Sequence, residues 1–268
     1  MGVRATLNAL LRPLGFEAVR KSSYGTDNFL VQTTLKFKQV VVREIAERLE
    51  YKVQRGPFEG MLLPAHGAWS DHDIASKLVG SYEEELFPTI LELAKVPFRS
   101  IVNIGASEGY YAIGMKRLVP DATVYTYDID ENSFQALEDC QKLNGVSVKR
   151  LDAFKCADPF PGNLKDWNLP SLFIIDCEGC EARVEDFPQE VLVKSHFLIE
   201  VHDLFVPGIT TQLIDFLSDT HDVTVIPQRS RTFDDYPELE KYSELKKAII
   251  LDEYRNGKME WLYAKPKS

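Results

Sequence analysis

The sequence predicts an α/β fold, a mostly parallel sheet with helices on both faces, and three observations predict it. Short β-branched or aromatic runs alternate with amphipathic segments: Ile101 to Ile104, Ala122 to Tyr127, Leu172 to Ile175 and Phe197 to Val201. Runs of this length, bounded by polar and proline residues, read as strands buried on both faces. The first run leads directly into a glycine loop, Gly105 to Gly109, and then into Tyr110 to Leu118, which carries apolar residues at helical spacing. The second run ends on an acid, Asp128. Strand, glycine loop, helix and acid-terminated strand make up a nucleotide-binding βαβ unit.

Each part of that unit has a physical role. Gly105 and Gly109 let the backbone turn sharply and approach a ligand, because no Cβ intervenes. Amides at the helix start, Tyr110, favour an anionic group in front of them. Asp128, about twenty residues on, is placed to accept the hydroxyls of a ribose. The glycine spacing then discriminates. A dinucleotide fingerprint is G-x-G-x-x-G, whereas Ala106 and Ser107 stand here where the second glycine belongs. The form G-x-x-x-G resembles motif I of class I S-adenosylmethionine (SAM)-dependent methyltransferases. That resemblance implies a cofactor site of Gly105, Ser107, Gly109, Tyr110, Asp128 and Ile129. An NAD-linked enzyme of the same fold is the alternative that the missing glycine disfavours.

Composition bounds the rest. At 268 residues and 44% apolar content the chain suits one large α/β domain with an N-terminal extension. A net charge of −10 argues against nucleic acid as the main partner. Residues 1–60 run the other way, with ten Lys/Arg against six Asp/Glu, which reads as a solvated helix face. Four cysteines do not make a disulfide framework in a chain of this size. No run approaches membrane-spanning length, and no signal-peptide core opens the chain. Met1, Gly2 and Thr6 fit a myristoylation pattern without a second membrane signal. The expectation is a cytoplasmic protein that touches neither membrane nor nucleic acid.

In chain order, Leu7, Leu10, Leu11 and Leu14 predict a short amphipathic helix, and Val40 to Glu50 a second. Tyr51 to Leu63, with Gly56, Pro57 and Gly60, reads as a bent strand pair. Asp71, His72 and Asp73 are metal-ligand types, but adjacent residues at a helix start do not converge on one ion. Ser70 and Asp73 make a capping box instead. Gly80 to Leu86 opens a helix running to about Ala94, which lies over the cofactor pocket. After Asp128 come a helix from Glu131 to Leu143 and a third strand from Val146 to Leu151. Asp152 and Ala153 follow that strand, where methyltransferases with this motif hold the adenine ring and its amino group.

The fourth strand leads into Asp176, Cys177, Glu178, Gly179, Cys180 and Glu181. The string IIDCEGCE resembles the I-D-x-E-G-x-E signature of FkbM-family methyltransferases, which mostly methylate hydroxyl oxygens of sugars and natural products. Gly80 to Glu83, Asn144 with Gly145, and Phe197 to His202 agree with that family. The resemblance covers roughly residues 78–215. It departs at Asn103, where the family usually has an acid, and at Ser107 and Glu108, which replace an Asn-containing loop. It implies a Rossmann-like seven-stranded sheet with an antiparallel closing strand, here Met259 to Ala264. It also sets domain bounds: an extension of helix and hairpin over residues 1–77, then the SAM-dependent domain over 78–268.

Methyl transfer is an in-line displacement, so the protein must position the acceptor and exclude water. A protonated hydroxyl needs a base or a cation that lowers its pKa. Asp176 ends strand four, and Glu200 and His202 share one face near the end of strand five. With Glu178 they make the candidate catalytic set. Either Asp176 or His202 acts as base, or Asp176, Glu200 and His202 hold Mg²⁺ or Mn²⁺. The competing structural reading has Asp176 capping a helix that begins at Glu178. Cys177 and Cys180 have C-x-x-C spacing, but zinc would need a second pair, and Cys140 with Cys156 is not one. They read as small buried residues. Pro227 to Lys247, with Arg229 and Arg231, forms a lid or substrate wall. The function so predicted is SAM-dependent O-methylation of a sugar, glycan or small-molecule hydroxyl. A SAM-binding sensor without turnover is the alternative from outside enzymology.

Overall fold

The computed structural model describes residues 26–65, 74–151, 170–253, 255, 257 and 259–267. The expected Leu7–Leu14 helix, the myristoylation pattern, the Ser70–Asp73 capping box, Asp152 with Ala153, and Cys156 lie outside these residues. The chain divides into two compact units, Met1–Val41 and Val42–Ser268. The described part of the first is the leading portion of helix α1 (Thr26–Arg48), which continues into the second. No described helix is long and apolar enough to cross a membrane.

The second unit is built on one seven-stranded sheet in the order β3-β2-β1-β4-β5-β7-β6. Its strands are β1 (Ser100–Ile104), β2 (Thr123–Tyr127), β3 (Lys149–Arg150), β4 (Ser171–Ile175), β5 (Ser195–Val201), β6 (His221–Pro227) and β7 (Glu260–Pro266). Strands β1 to β5 pair in parallel, whereas β7 runs antiparallel between β5 and β6. This is the Rossmann-like sheet with an antiparallel closing strand. Strands β1, β4 and β5 are buried along their whole length, as continuous apolar runs covered on both faces must be. Phe173 stacks on Phe197 at 5.2 Å, and Phe187 meets both edge-on.

Helices fill the connections: α2 (Ile74–Val79), α3 (Phe87–Leu93), α4 (Tyr110–Leu118), α5 (Glu131–Asn144), α6 (Gln189–Leu192), α7 (Ile209–Ser218) and α8 (Glu244–Ile250). Helix α5 starts where Asp130 accepts the Asn132 amide and stops at left-handed Gly145. Two helices are shorter than the sequence suggests. Glu83 sits at φ 47°, so the segment expected to open a helix at Gly80 becomes a 3₁₀ turn, Glu84–Leu86, before α3. After β4, Glu178 and Gly179 both have positive φ, and the turn resumes only as a 3₁₀ helix over Glu181–Asp186. No helix begins at Glu178, so Asp176 caps none. The Tyr51–Leu63 strand pair reduces to one antiparallel bridge, Lys52 to Leu62.

Candidate active site at the carboxyl edge of the sheet

The register brings the chemistry into one row. Ile104 pairs with both Tyr127 and Ile175, and Ile175 pairs with Ile199. The residues that follow them are Gly105, Asp128, Asp176 and Glu200, side by side at the carboxyl edge where open α/β sheets bind ligands.

On the β1–β2 side, Gly105 has φ 77°, and a Cβ there would overlap the Asp176 carbonyl oxygen. The glycine serves the approach of β4 as well as any ligand. Gly109 (φ 93°) precedes α4 and brings no side chain to cap the helix amides. Asp128 is buried. One carboxylate oxygen accepts the Ser107 amide at 2.7 Å and the other the Asp130 amide at 2.8 Å, leaving further lone pairs on each. Ile129 beside it is 62% exposed, an apolar surface at the lip of the crevice. Glu108 is buried and paired with Lys77 of α2 at 2.5 Å, and it accepts the Ser107 hydroxyl at 2.7 Å. The Lys77 ammonium also lies over the Tyr82 and Tyr110 rings. The Ser107 and Asp130 amides thus hold Asp128 at the strand end with acceptor capacity to spare, beside the exposed apolar face of Ile129.

On the β4–β5 side, Asp176, Glu178, Glu200 and His202 come together. His202 Nε2 lies 3.7 Å from Asp176, 3.5 Å from Glu178 and 3.4 Å from Glu200. None of the three is aligned for a hydrogen bond, and the atom is buried without a partner. Nδ1 is fixed by Glu181 at 2.6 Å. Burial works against charge on His202, but the Glu181 and Glu200 carboxylates outweigh it and raise its pKa to about 11. Glu200 is held near 2 by His202 and Arg255, against the effect of burial. Burial, reinforced by the Glu200 charge, pushes the Asp176 carboxyl well above its usual range. The surrounding acids therefore favour a positive charge at the imidazole, whether a proton or a cation, and Asp176 is the carboxyl that gives up its proton late.

The ligand atoms that cluster within 4.8 Å of one another belong to Asp176, Glu178 and His202. Glu200, which the sequence places in the ligand set, instead has one carboxylate oxygen in an ion pair with Arg255. The sequence expectation fails for the cysteines. Cys177 and Cys180 form a disulfide, because the two positive-φ residues between them fold the chain back until the Cα atoms are 5.5 Å apart.

Three residues of this site escaped sequence reasoning. Arg255 joins Glu200 and Glu83 and bonds Glu253 at 3.0 Å. Glu253 is two positions away, but the site partners Glu200 and Glu83 lie 55 and 172 positions away, beyond any local pattern. Glu83, which accepts the Tyr111 hydroxyl, and Glu181 had a signal, their places in the two motif stretches. Arg231, read as part of an exposed wall, is buried on Glu85 and Glu253 and bonds the Ser81 carbonyl. The segment after β6 thereby packs down, with Tyr236 and Leu239 in the core, and lines a groove of about 620 Å³ with Arg229, Phe233, Leu251 and Asp252. Arg255 borders both that groove and the carboxylate cluster.

No protein-family model and no curated protein matches this chain. Among solved structures it is similar to precorrin-6y C5,15-methyltransferase of Geobacter metallireducens GS-15, at 14% identity over 69% of this chain and 88% of that one, TM-score 0.47. It is similar to the ribosomal protein L11 methylase of Lactobacillus delbrueckii subsp. bulgaricus, at 14% identity over 78% and 86%, TM-score 0.45. It is also similar to an O-methyltransferase of Bacillus cereus in complex with SAH, at 13% identity over 66% and 78%, TM-score 0.46. These are likenesses of chain trace at low identity, and what each neighbour acts on stays with that neighbour.

Proposed function

We propose that this chain is a SAM-dependent methyltransferase of the FkbM type that methylates a hydroxyl oxygen on a sugar, glycan or small-molecule acceptor. The observation that carries the reading is the row Asp128, Gly105, Asp176, Glu200. It puts a nucleoside-binding acid and an acidic acceptor cluster on neighbouring strands of one edge. Bound SAM supplies an electrophilic methyl group. Asp128 grips the ribose, the α4 amides and the Ser107 loop face the amino-acid end, and Ile129 covers the base.

On the acceptor side, Asp176 is the better base. Its raised pKa makes its carboxylate a stronger proton acceptor than an ordinary aspartate, whereas the acids around His202 favour a positive charge there, which either a proton or a cation supplies. A cation on the same cluster would do the work differently, lowering the hydroxyl pKa directly. His202 Nε2, buried and unbonded among acids, supports that second reading for Mg²⁺ or Mn²⁺. The groove behind Arg255 is within the size range of small-molecule sites and accommodates the body of the acceptor.

Calorimetry tests the cofactor half. Wild-type chain binds SAM, and Asp128→Ala weakens binding by about tenfold to a hundredfold, the loss of charge-assisted hydrogen bonds. Undiminished affinity in Asp128→Ala sinks the assignment. Mass spectrometry tests the transfer: a panel of glycans and phenols incubated with SAM gains one methyl group on an acceptor with wild-type chain. That gain drops at least about a hundredfold with Asp176→Asn.

A further inference from the structure

The Cys177–Cys180 disulfide closes a four-residue ring around Glu178 and Gly179. Glu178 is held there at φ 54°, a left-handed conformation that a side-chain-bearing residue adopts only against steric resistance. Its side chain is 62% exposed, yet its carboxylate points back to within 3.5 Å of His202 Nε2. The neighbouring ligands have other anchors. The Asp176 amide donates to the Ile104 carbonyl at 3.0 Å, which ties it to the sheet. His202 is fixed through Nδ1 by Glu181, whose side chain is fully buried. A carboxylate on one imidazole nitrogen orients the other toward an ion, as in many metal sites, and here that other nitrogen is buried without a hydrogen-bond partner.

We propose that Asp176, Glu178 and His202 form a divalent-cation site in which the Cys177–Cys180 disulfide positions Glu178, so that thiol–disulfide exchange sets cation affinity. This rests on the acceptor-side reading of the cluster given above. Two carboxylates and one imidazole suit Mn²⁺ or Mg²⁺. The reductant is a dithiol. One of its thiolates attacks the sulfur of half-buried Cys177, and Cys180, 4% exposed, leaves as a thiolate and takes up a proton. The second thiol of the reductant then closes its own disulfide and releases Cys177 as a thiol. Two electrons pass to the protein and the dithiol is oxidised. With the ring open, Glu178 relaxes from the left-handed conformation and its carboxylate withdraws, leaving a two-ligand site.

The test is Mn²⁺ titration of the full chain, followed by electron paramagnetic resonance of free Mn²⁺, before and after reduction with a phosphine. The oxidised chain binds about tenfold more tightly than the reduced one, the effect of losing one carboxylate ligand. Cys177→Ser/Cys180→Ser binds as the reduced chain does and ignores the phosphine. Glu178→Gln, a change at an exposed side chain, gives the oxidised chain the reduced chain's affinity. Equal affinity in both redox states, no Mn²⁺ binding by the oxidised chain, or an oxidised Glu178→Gln that keeps full affinity would each overturn the proposal. So would a native chain that gains no mass, about 2 Da for two hydrogens, on reduction. Calorimetry with SAM on the same samples separates the two hypotheses: failure here with SAM binding intact leaves the methyltransferase reading standing, and absent SAM binding counts against that reading.

Discussion

Gly105 has no space for a side chain, because the Asp176 carbonyl occupies the position a Cβ would take. Gly145, at the end of α5, has a similar φ of 62° but nothing within 4 Å. The pair separates crowding from conformation. Gly145→Ala costs about 1 kcal/mol, the left-handed penalty alone. Gly105→Ala adds a backbone clash in the sheet and costs at least ~3 kcal/mol, read by urea unfolding. Equal costs would mean that strand β4 yields easily at Asp176. His196 illustrates a titrating residue away from the site. It is buried on Phe98 and bonds the Tyr263 hydroxyl at 2.9 Å, and burial lowers its pKa to about 4. Its unfolded value is the ordinary 6.5, so the unfolded state takes up the proton first. The stability it supports is present above pH 6.5 and is lost as pH falls through 4. His196→Phe therefore flattens the acid side of the stability profile, by up to ~3 kcal/mol near pH 4. An unchanged slope between pH 6.5 and 4 would place the charged form in the folded state.

At the scale of elements, one buried ion network fastens four segments. Arg255 joins the turn before β7 to Glu200 on β5 and Glu83 in the segment before α3, while Arg231 after β6 reaches Glu85 and Glu253. A buried pair adds little net stability while intact, but removing one partner leaves uncompensated charge. Arg255→Met therefore destabilises the chain by about 3–5 kcal/mol at neutral pH. Adding Glu83→Gln to Arg255→Met recovers part of that loss, because one stranded carboxylate goes. A double variant no more stable than Arg255→Met would show that Glu83 and Arg255 are not coupled. Local patterning made most strands and α4 and α5 legible, since their apolar spacing is set by their own burial. The Gly80 segment was not legible in this way. Its Glu83, Glu84 and Glu85 favour a helix by composition, yet Glu83 leaves helical φ to meet Arg255 from the far end of the chain.

For the whole molecule, the central strands β1, β4 and β5 are both the buried core and the floor of the candidate site. A ligand bound at their carboxyl edge is therefore coupled to global unfolding and not merely to a loop. SAM at a hundred times its dissociation constant raises the unfolding free energy by about 2.7 kcal/mol, seen as a higher melting temperature. NADH at the same concentration gives no shift, because Ala106 and Ser107 fill the turn where a pyrophosphate would need glycine. The reverse pattern of shifts would favour the dinucleotide enzyme.

The sequence by itself determined the α/β class, the strand ends that carry Gly105, Asp128, Asp176 and Glu200, and the antiparallel final strand through its family resemblance. The first two follow from periodicity and short motifs, which act over a few residues or one βαβ unit. Only the tertiary structure decided which charges are neutralised and by what. Arg255 and Arg231 were drawn inside by acids far along the chain, Glu181 was turned onto His202, and Cys177 was closed onto Cys180. The reason is that burying a charge demands a partner in space, and the sheet's non-sequential strand order, not spacing along the chain, chooses that partner.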